Sequence, residues 1–377
     1  MKKIAIIGCG ISGLYFANKL LNKKNYDFTI YEKKSELDLK DGYGIQLSVN
    51  SIKLLNEIGF NNIAASEVFF PKKVNFFEAI NLKKICEIDI SKFNSENKKY
   101  TTLKRSFLIK FLLNNIPAEK IKNNLELTGI EHGEKIKLSF SNNLTEEFDY
   151  LVVSDGVFSK TKSIILAKET GPKFFNSVAL RGNIKNLENN DISLYLGSNF
   201  HFVIYPVNQN KEFNFISIIR KKLSKNQTLD QNLFESNDFL KSLCNEIYQK
   251  TSMNLKDKIE NIKSFPIYVS EKFENFSYKN IYFIGDALFA FPPSFAQGAS
   301  QSIEAGNEVF EEINNNTSNY YKKRGLKIKE VNWRSKFNHF AFHLSNPLMI
   351  LLRNLILKIL VNNKNFLNNY LGKIYKG

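Results

Sequence analysis

The first 21 residues constrain the fold more than any other part of the chain, because an apolar run leads through a glycine-rich turn into a helical pattern. Residues 4–7 read Ile-Ala-Ile-Ile, which is typical of a buried parallel strand. Gly-Cys-Gly-Ile-Ser-Gly follows at 8–13, and residues 14–21 carry apolar side chains at helical spacing. This order of strand, turn and helix predicts the first unit of a Rossmann-like α/β domain that binds a dinucleotide.

Each glycine of the turn has a distinct physical role in such a site. Gly8 permits the tight turn, Gly10 lets the backbone approach a pyrophosphate, and Gly13 lets the helix pack closely on the strand. Ile11 and Ser12 open the helix, whose positive N-terminal end attracts phosphate. A glycine-rich turn without a ligand is the alternative, and the flanking strand and helix argue against it.

A second strand, residues 28–31, ends at an acidic residue, Glu32, which lies 24 residues after Gly8. An acid at this place accepts hydrogen bonds from ribose hydroxyls and favours an unphosphorylated ribose. Lys33 follows it directly and is assigned to the same site. The N-terminal block therefore predicts every part of a dinucleotide site that such a unit supplies.

The net charge of +16 suggests nucleic-acid binding, but the pattern of charge argues against it. Lysine and asparagine are abundant along the whole chain, and no basic stripe is interleaved with aromatic residues in a nucleic-acid-binding module. The positive field would instead attract anionic small molecules such as aromatic carboxylates. Beside 47 lysines the chain has six arginines, so an arginine can mark a place that needs a planar, bidentate donor.

Cysteine usage and the N-terminus bear on the compartment. Cys9, Cys86 and Cys244 are far apart and odd in number, so we expect neither a disulfide framework nor a metal cluster. The apolar run at 4–7 is too short for the core of a secretory signal. A reducing, cytoplasmic location is the prediction.

A chain of 377 residues is too long for one compact core, so two interleaved domains are expected. We predict a discontinuous dinucleotide-binding domain from residues 1–70, 97–165 and 270–310. Residues 71–96 and 166–269 contain alternating apolar and polar runs, which predict an antiparallel-sheet domain that binds the substrate.

The rest of the chain, residues 311–377, is predicted to form a helical C-terminal region. Residues 346–361 are strongly apolar but include Arg353 and Lys358, and they are too few to cross a bilayer. A helix that caps a domain or buries the face of a homodimer is the favoured interpretation. Attachment to a membrane surface is the alternative.

A second block, NIYFIGDALFAFPPSFAQGASQSIEAG at 280–306, combines a Gly-Asp pair, two prolines and an Ala-Gln-Gly-Ala run. Together with the N-terminal block, GYGIQLSVN at 42–50, VVSDGVFSKTK at 152–162 and HFVIYPV at 201–207, it resembles the single-component FAD-dependent aromatic hydroxylases related to p-hydroxybenzoate hydroxylase. Within that group the chain is most similar to salicylate hydroxylase and 3-hydroxybenzoate 6-hydroxylase. The resemblance covers nearly the whole chain and implies the p-hydroxybenzoate hydroxylase-like fold.

The resemblance implies which residues hold FAD. Arg105 would lie along the pyrophosphate and ribityl region, and Asp286 would hold the ribityl chain. Asp155 and Gly156 would belong to a motif linked to both FAD and the pyridine nucleotide. The remaining implied contacts are Gln46 and a run that faces the isoalloxazine ring, Gln297, Gly298 and Ala299.

The resemblance also implies the reaction. NAD(P)H would reduce the flavin, O2 would add to give a flavin hydroperoxide, and one oxygen atom would pass to a small phenolic or benzoate-type ring. The implied catalytic residues are His201, Tyr205 and Gln297. A histidine with a pKa near neutrality is a suitable base for a phenol proton, although an isolated strand histidine is more often structural. The aromatic lining of the pocket is expected from Phe200, Phe202, Phe289, Phe291 and Phe295.

Other interpretations stay open at this point. A hydroxylase of a prenylated, ubiquinone-precursor-type phenol would share the cofactor motifs, and the apolar C-terminal helix would then give membrane access. A nicotinamide-dependent dehydrogenase and a flavin-binding oxidoreductase without oxygenase activity are further alternatives. Arg181 and Arg220 either contact an anionic substrate or form surface ion pairs, and Lys162 stands where the family usually has an arginine. His339 and His343 share a helical face and are expected to serve packing rather than metal binding.

Overall fold

The computed structural model describes residues 1–21, 23–37, 39, 43–185, 187–274, 276 and 278–375. Gly42, the first residue of the GYGIQLSVN segment, lies outside them. The strands are β1 (Lys2–Ile7), β2 (Tyr26–Tyr31), β3 (Gly44–Leu47), β4 (Val68–Phe69), β5 (Lys73–Glu78), β6 (Lys84–Asp89), β7 (Thr101–Lys104), β8 (Ile121–Lys122), β9 (Leu127–His132), β10 (Ile136–Phe140), β11 (Thr145–Phe148), β12 (Tyr150–Val153), β13 (Lys173–Lys185), β14 (Ile192–Gly197), β15 (Phe200–Pro206), β16 (Glu212–Arg220), β17 (Ile259–Val269) and β18 (Ile281–Phe283).

The helices alternate with these strands in the first half and dominate the last third. They are α1 (Ile11–Leu20), α2 (Val49–Asn56), α3 (Arg105–Asn114), α4 (Lys160–Leu166), α5 (Lys225–Leu229), α6 (Gln231–Glu235), α7 (Asn237–Tyr248), α8 (Gly285–Leu288), α9 (Gly298–Asn315), α10 (Tyr320–Phe342), α11 (Pro347–Asn362), α12 (Lys364–Leu367) and α13 (Lys373–Tyr375). A π-helical turn, Asn368–Gly372, joins the last two.

A parallel sheet brings the N-terminal glycine-rich block and the Gly-Asp block at 280–306 close together. Its order is β18-β12-β1-β2-β8, and β1 pairs in parallel with both β2 and β12. Residues 4–6 of β1 are fully buried, as expected for a parallel strand covered on both faces by helices. Because β18 pairs with β12, the Gly-Asp block that follows β18 lies beside the glycine turn that follows β1.

One predicted helix begins later than its pattern suggested. The apolar spacing of residues 102–113, with Leu108 and Leu112 on one face, predicts a helix over that range, but residues 101–104 form β7, which pairs with β3 and β4, and α3 begins at Arg105. Two β-branched threonines favour the strand, and the Thr102 hydroxyl donates to the Pro206 carbonyl oxygen at 2.6 Å. Arg105 is therefore the first residue of helix α3.

A second sheet carries the other wall of the molecule. Its order is β17-β13-β16-β15-β14-β5-β6, and its neighbours are antiparallel except for β14 and β5. One face packs on α6 and α7 through a core that contains Phe200, Phe202, Phe215, Leu243 and Ile247. The opposite face turns toward β3 and the helices that follow β18.

The C-terminal helices close the structure around this second sheet. Leu357 and Val361 of α11 pack with the β6 side chains Ile85 and Cys86, and residues near α12 and α13 pack with Val49 and Tyr205. In the part of the chain that the structure describes, no helix combines the length and the apolar character needed to cross a bilayer.

Candidate active site

The glycine turn, the end of β2 and the end of β12 form one groove of about 440 Å³. Parallel strands end at the same edge of a sheet, so residues that are remote along the chain meet there. The groove collects seven of the predicted cofactor residues, which are Gly8, Gly10, Glu32, Lys33, Arg105, Asp155 and Gly156.

The glycines of the turn divide into two kinds. Gly8 has a φ of +99°, and a Cβ there or at Gly13 would collide with neighbouring backbone oxygens, so the fold itself requires both. A Cβ at Gly10 would meet no atom within 4 Å, and the same holds at Gly156. These two positions border open space inside the groove, as a close-lying ligand requires.

Ser12 shows how the N-terminal block meets the late Gly-Asp block. Gly285 has a φ of +60°, and a Cβ there would lie 2.5 Å from the Ser12 hydroxyl. Ile11 is half-buried in the first turn of α1, whose peptide N–H groups have no partner within the helix. The first turn of α1 therefore serves as a phosphate-attracting helix end and as the contact surface for residue 285.

Glu32 is buried, and each oxygen of its carboxylate already accepts one hydrogen bond from the backbone. One oxygen accepts from the Cys9 amide at 2.9 Å and the other from the Lys34 amide at 3.0 Å. Since each carboxylate oxygen can accept more than one hydrogen bond, the group can still receive ribose hydroxyls. The two backbone donors fix its position at the rim of the groove.

Asp155 provides a direct test of whether FAD fits. Its Oδ2 accepts from the Thr161 amide at 3.3 Å, while its Oδ1 is buried and has no hydrogen-bond partner among the described residues. Buried polar atoms are almost always paired, so an unpaired carboxylate oxygen on a groove wall points to an absent donor. Together with the open glycine positions, these carboxylate acceptors fit a dinucleotide with free hydroxyl groups, such as FAD.

Asp286 connects the groove to a second cavity. Its side chain is accessible from the cavity but surrounded by protein, and this desolvation raises the pKa of its carboxyl group, while the charges of Arg105 and Lys162 act in the opposite direction. Arg105 lines the groove, whereas Asp286 lines the cavity, so one charged contact lies at the junction of the two. The junction is where the resemblance places the ribityl chain.

The cavity has a volume of about 430 Å³ and lies between the second sheet, the 286–299 segment and the C-terminal helices. It brings together the remaining predicted residues of the flavin side and of catalysis. These are Gln46, His201, Tyr205, Asp286, Gln297, Gly298 and Ala299.

Gln297 is held by a buried polar network that the sequence did not indicate. Its Oε1 accepts from Gln301 Nε2 at 3.2 Å, and Arg324 donates to Gln301 Oε1 at 2.7 Å and to Glu304 at 3.0 Å. Arg324 is fully buried, and its use in a lysine-rich chain was the available signal. The network fixes the N-terminus of α9, where a Cβ at Gly298 would meet no atom within 4 Å.

His201 belongs to a buried cluster of three histidines. Its Nδ1 lies 2.8 Å from His343 Nε2, and the His343 ring lies 4.1 Å from that of His339. Burial, and then the proximity of His339, lowers the pKa of His201 to about 3. This pKa lies below the value near neutrality that suits a phenol base, because apolar surroundings and neighbouring imidazoles disfavour the charged form.

The predicted aromatic lining is only partly correct. Phe291 and Phe295 line the cavity, and Phe289 lies beside a smaller recess. Phe200 and Phe202 instead enter the core on the other face of the sheet, since side chains alternate along β15. The cavity receives His201, Val203 and Tyr205 from the same strand.

The structure distinguishes Arg181 from Arg220, for which the sequence allowed either substrate contact or surface ion pairs. Arg181 lines the cavity and lies 5.8 Å from the Tyr43 ring centroid. Arg220 is exposed and contacts Asn199 at 3.5 Å. The cavity thus contains one of the two as a cation that an anionic ligand could reach.

The last helices also contribute to the cavity, which no sequence motif indicated. Leu357, Leu360, Tyr370 and Tyr375 line the cavity beside the flavin-side residues. Tyr100 also lines it and donates to Gln46 Oε1 at 2.8 Å. No short motif marks these residues, because their position depends on how the last helices pack.

The chain resembles known proteins both in sequence and in structure. No protein-family model matches the chain. The 6-hydroxynicotinate 3-monooxygenase of Pseudomonas fluorescens is 22% identical over 314 residues, which cover 81% of this chain and 80% of that enzyme. The FAD-dependent monooxygenase pigN of Monascus ruber is 24% identical over 247 residues, which cover 57% of this chain and 54% of that protein, so the alignment spans about half of its length.

Solved structures share the fold over nearly the full length. A variant of HpxO from Klebsiella pneumoniae, solved with FAD, has a TM-score of 0.84 at 15% identity and covers 98% of both chains. A salicylate hydroxylase substrate complex has a TM-score of 0.79 at 16% identity and covers 100% of this chain and 95% of the other. The predicted p-hydroxybenzoate hydroxylase-like fold is confirmed.

The named relatives also confirm the predicted class, an FAD-dependent monooxygenase that resembles the aromatic hydroxylases. These relatives argue against the alternative interpretation, a nicotinamide-dependent dehydrogenase.

Proposed function

We propose that the protein hydroxylates a small aromatic substrate of the phenol or benzoate type, with FAD bound and NAD(P)H and O2 as co-substrates. The observation that carries this proposal is the single cavity that brings the flavin-side residues Asp286, Gln297 and Gly298 together with His201. The relative that acts on 6-hydroxynicotinate supports an aromatic substrate.

The residues of the groove and cavity would divide the work of binding. FAD, when bound, supplies hydride acceptance and the activation of O2. Gly10, Glu32 and Arg105 would hold its dinucleotide part, and Asp286 with the N-terminus of α9 would hold its flavin part. The mainly apolar cavity walls would exclude water from the reacting ring.

His201 would take the phenol proton, with His343 as a positioning residue. In the tautomer that donates Nδ1–H of His201 to Nε2 of His343, the Nε2 of His201 is left as an acceptor. Because burial keeps His201 neutral, it can accept a proton without first losing one, and the imidazolium would be stabilised by the phenolate formed beside it. Tyr205 is buried on the same strand, and burial raises the pKa of its hydroxyl, so it would act as a hydrogen-bond donor.

Arg181 would select the charge of the substrate. Among the described residues that line the cavity, Arg181 is the one arginine or lysine, and its strand β13 pairs with β16, which pairs with the His201 strand β15. A bidentate guanidinium suits a ring carboxylate.

Turnover with a substrate panel tests the proposal. NADH consumption and product mass are measured over hydroxybenzoates, salicylate and neutral phenols, for the natural protein, Arg181→Met and the exposed matched control Arg220→Met. We expect ring-hydroxylated product, and about a tenfold rise in KM for carboxylate-bearing substrates in Arg181→Met alone. A protein that binds FAD but whose NADH oxidation responds to no aromatic compound would contradict the proposed activity.

A prenylated phenol is the second candidate substrate. The side chains Leu357, Leu360 and Val361 give one cavity wall an apolar surface suited to an isoprenoid tail. Including a prenylated hydroxybenzoate in the panel separates the two candidates.

We also propose a reducing, cytoplasmic setting, which the three free, buried cysteines support.

A further inference from the structure

Helix α11 exposes large apolar side chains on its outer side, unlike a normal surface helix. Its buried side chains are Arg353 and Asn354, 7% and 9% exposed, and Asn354 donates to Glu78 at 2.6 Å. Leu348 and Leu351 on its outer side are 72% and 68% exposed. Because a helix packs its apolar side chains inward when water is its only outer neighbour, this arrangement indicates a non-aqueous neighbour.

Helix α10, whose Phe342 packs with Leu357 and Val361 of α11, also exposes aromatic side chains. Trp333 is 61% exposed and stacks on Phe337, with ring centroids 5.3 Å apart. Leu326, seven residues before Trp333, and Phe337 and Phe340, four and seven residues after it, are exposed as well. We call the exposed apolar side chains of α10 and α11 the apolar patch, represented by Trp333, Phe337, Leu348, Leu351, Leu355 and Ile359.

The charge around the apolar patch has one sign. Residues 313–377 contain twelve lysines and arginines but a single carboxylate side chain, Glu330, which pairs with Arg334 at 3.3 Å. Lys336 is exposed and lies three residues from Trp333, and Lys358 is exposed and lies three residues from Leu355. Helical spacing puts each of these lysines at the edge of the patch.

We propose that the apolar patch docks on an anionic lipid surface. Exposed Trp, Phe and Leu with lysines beside them are the composition of helices that lie in a bilayer interface, where apolar side chains enter the acyl boundary and cations meet lipid phosphates. Self-association of two copies through this face would bring two sets of like charges together, which charge complementarity disfavours. The helices rest on the membrane and do not span it.

Docking would give a lipid-dissolved substrate access to the cavity, and this step rests on the proposed function. Phe337 is 45% exposed in the apolar patch and also lines the cavity. Leu357 and Leu360 lie on α11 and form a cavity wall behind the same surface. An aromatic substrate that partitions into lipid would therefore enter the cavity from the membrane side, beside Phe337.

Trp333 makes the docking directly measurable, since it is the single tryptophan of the chain. The FAD-loaded protein is titrated with vesicles of phosphatidylcholine and phosphatidylglycerol in equal parts, and with phosphatidylcholine alone. We expect a blue shift of the tryptophan emission, quenching by brominated acyl chains and co-sedimentation with the anionic vesicles. Raising the salt from about 0.1 M to about 0.5 M should release the protein.

Two variants and a matched control assign the binding to the patch. Leu351→Ser combined with Leu355→Ser should weaken vesicle binding by at least about tenfold, and Lys358→Gln by about fivefold. Leu229→Ser changes a leucine that is 65% exposed on α5, outside the patch, and should leave binding unchanged. FAD retention and thermal unfolding show that each variant is folded.

The outcomes separate the proposals. Absence of the emission shift and of co-sedimentation with anionic vesicles would overturn docking, as would sedimentation velocity that shows a dimer lost in the Leu351→Ser, Leu355→Ser protein. Vesicle binding needs no turnover, so it can succeed where the substrate panel fails. Docking without a lowered KM for substrates dissolved in the vesicles would overturn the access route alone.

Discussion

The groove and the cavity are neighbours of similar size, about 440 and 430 Å³, yet they are built in different ways. The groove follows from short segments in which glycines fix the backbone at the ends of parallel strands. The cavity is assembled from a sheet, the 286–299 segment and the last helices. Local backbone constraint is legible in a sequence, whereas a surface made by packing remote elements is not.

The largest expected effects come from substituting two glycines of the same turn. Gly10→Val should reduce FAD affinity by at least about 100-fold, because the side chain would occupy the space of the pyrophosphate while meeting no protein atom within 4 Å. Gly13→Val should instead prevent stable folding, because its side chain would collide with the Gly8 carbonyl oxygen. FAD stoichiometry and circular dichroism of the purified variants check both expectations.

If Gly10→Val retained stoichiometric FAD, the groove would not be the cofactor site. If Gly13→Val folded normally and lost only FAD, the division between a structural and a ligand-facing glycine would be wrong.

The next largest effect should lie in the cavity. His201→Ala should lower the rate of hydroxylation by about 100-fold and divert NADH oxidation to peroxide, because the phenol proton loses its acceptor. His343→Ala should have a smaller effect of about tenfold and shift the pH dependence of hydroxylation, because His201 then lacks the partner that fixes its tautomer. Product yield per NADH and the pH–rate profile are measured for both.

His132→Ala is the matched control, since that histidine is exposed and hydrogen-bonds Asn280 at 2.9 Å. Unchanged coupling in His201→Ala, with FAD still bound, would remove His201 from the reaction.

The comparison also explains how far the sequence alone could be interpreted. The parallel strands, the glycine turn and the acid at Glu32 were predicted because each depends on a pattern within about 30 residues. The start of α3 was misplaced because residues 101–104 are recruited into a sheet by β3 and β4, which local periodicity does not record.

The cavity lining shows a second limit. A run of aromatic residues on β15 was predicted to surround the substrate, but alternation sends Phe200 and Phe202 to the opposite core and His201 to the cavity. The orientation of the strand is set by α6 and α7, which lie elsewhere in the chain. Similarly, the outward leucines of α11 resemble a core helix in sequence, and the burial of Arg353 distinguishes the two only in the structure.

The smallest expected effect concerns the junction of groove and cavity, at Lys162. Its ammonium donates to the Leu288 carbonyl oxygen at 3.2 Å, and burial lowers its pKa to about 8, against the opposing charges of Asp155, Glu274 and Asp286. Below pH 8 the lysine is charged in both the folded and unfolded chains, so the full cost of burying the charge is present. Between pH 8 and the unfolded pKa of about 10.4, the unfolded chain binds a proton that the folded chain lacks, so this contribution makes stability rise with pH.

Lys162→Met should therefore raise the free energy of unfolding by about 1 kcal/mol at pH 7 and by almost nothing near pH 10.4. Lys162→Arg keeps its charge throughout, so it should match the natural protein at pH 7 and be less stable than the natural protein near pH 10.4. Denaturant unfolding at the two pH values measures the differences, and a Lys162→Met protein that is less stable at pH 7 would show that the charge stabilises the junction instead.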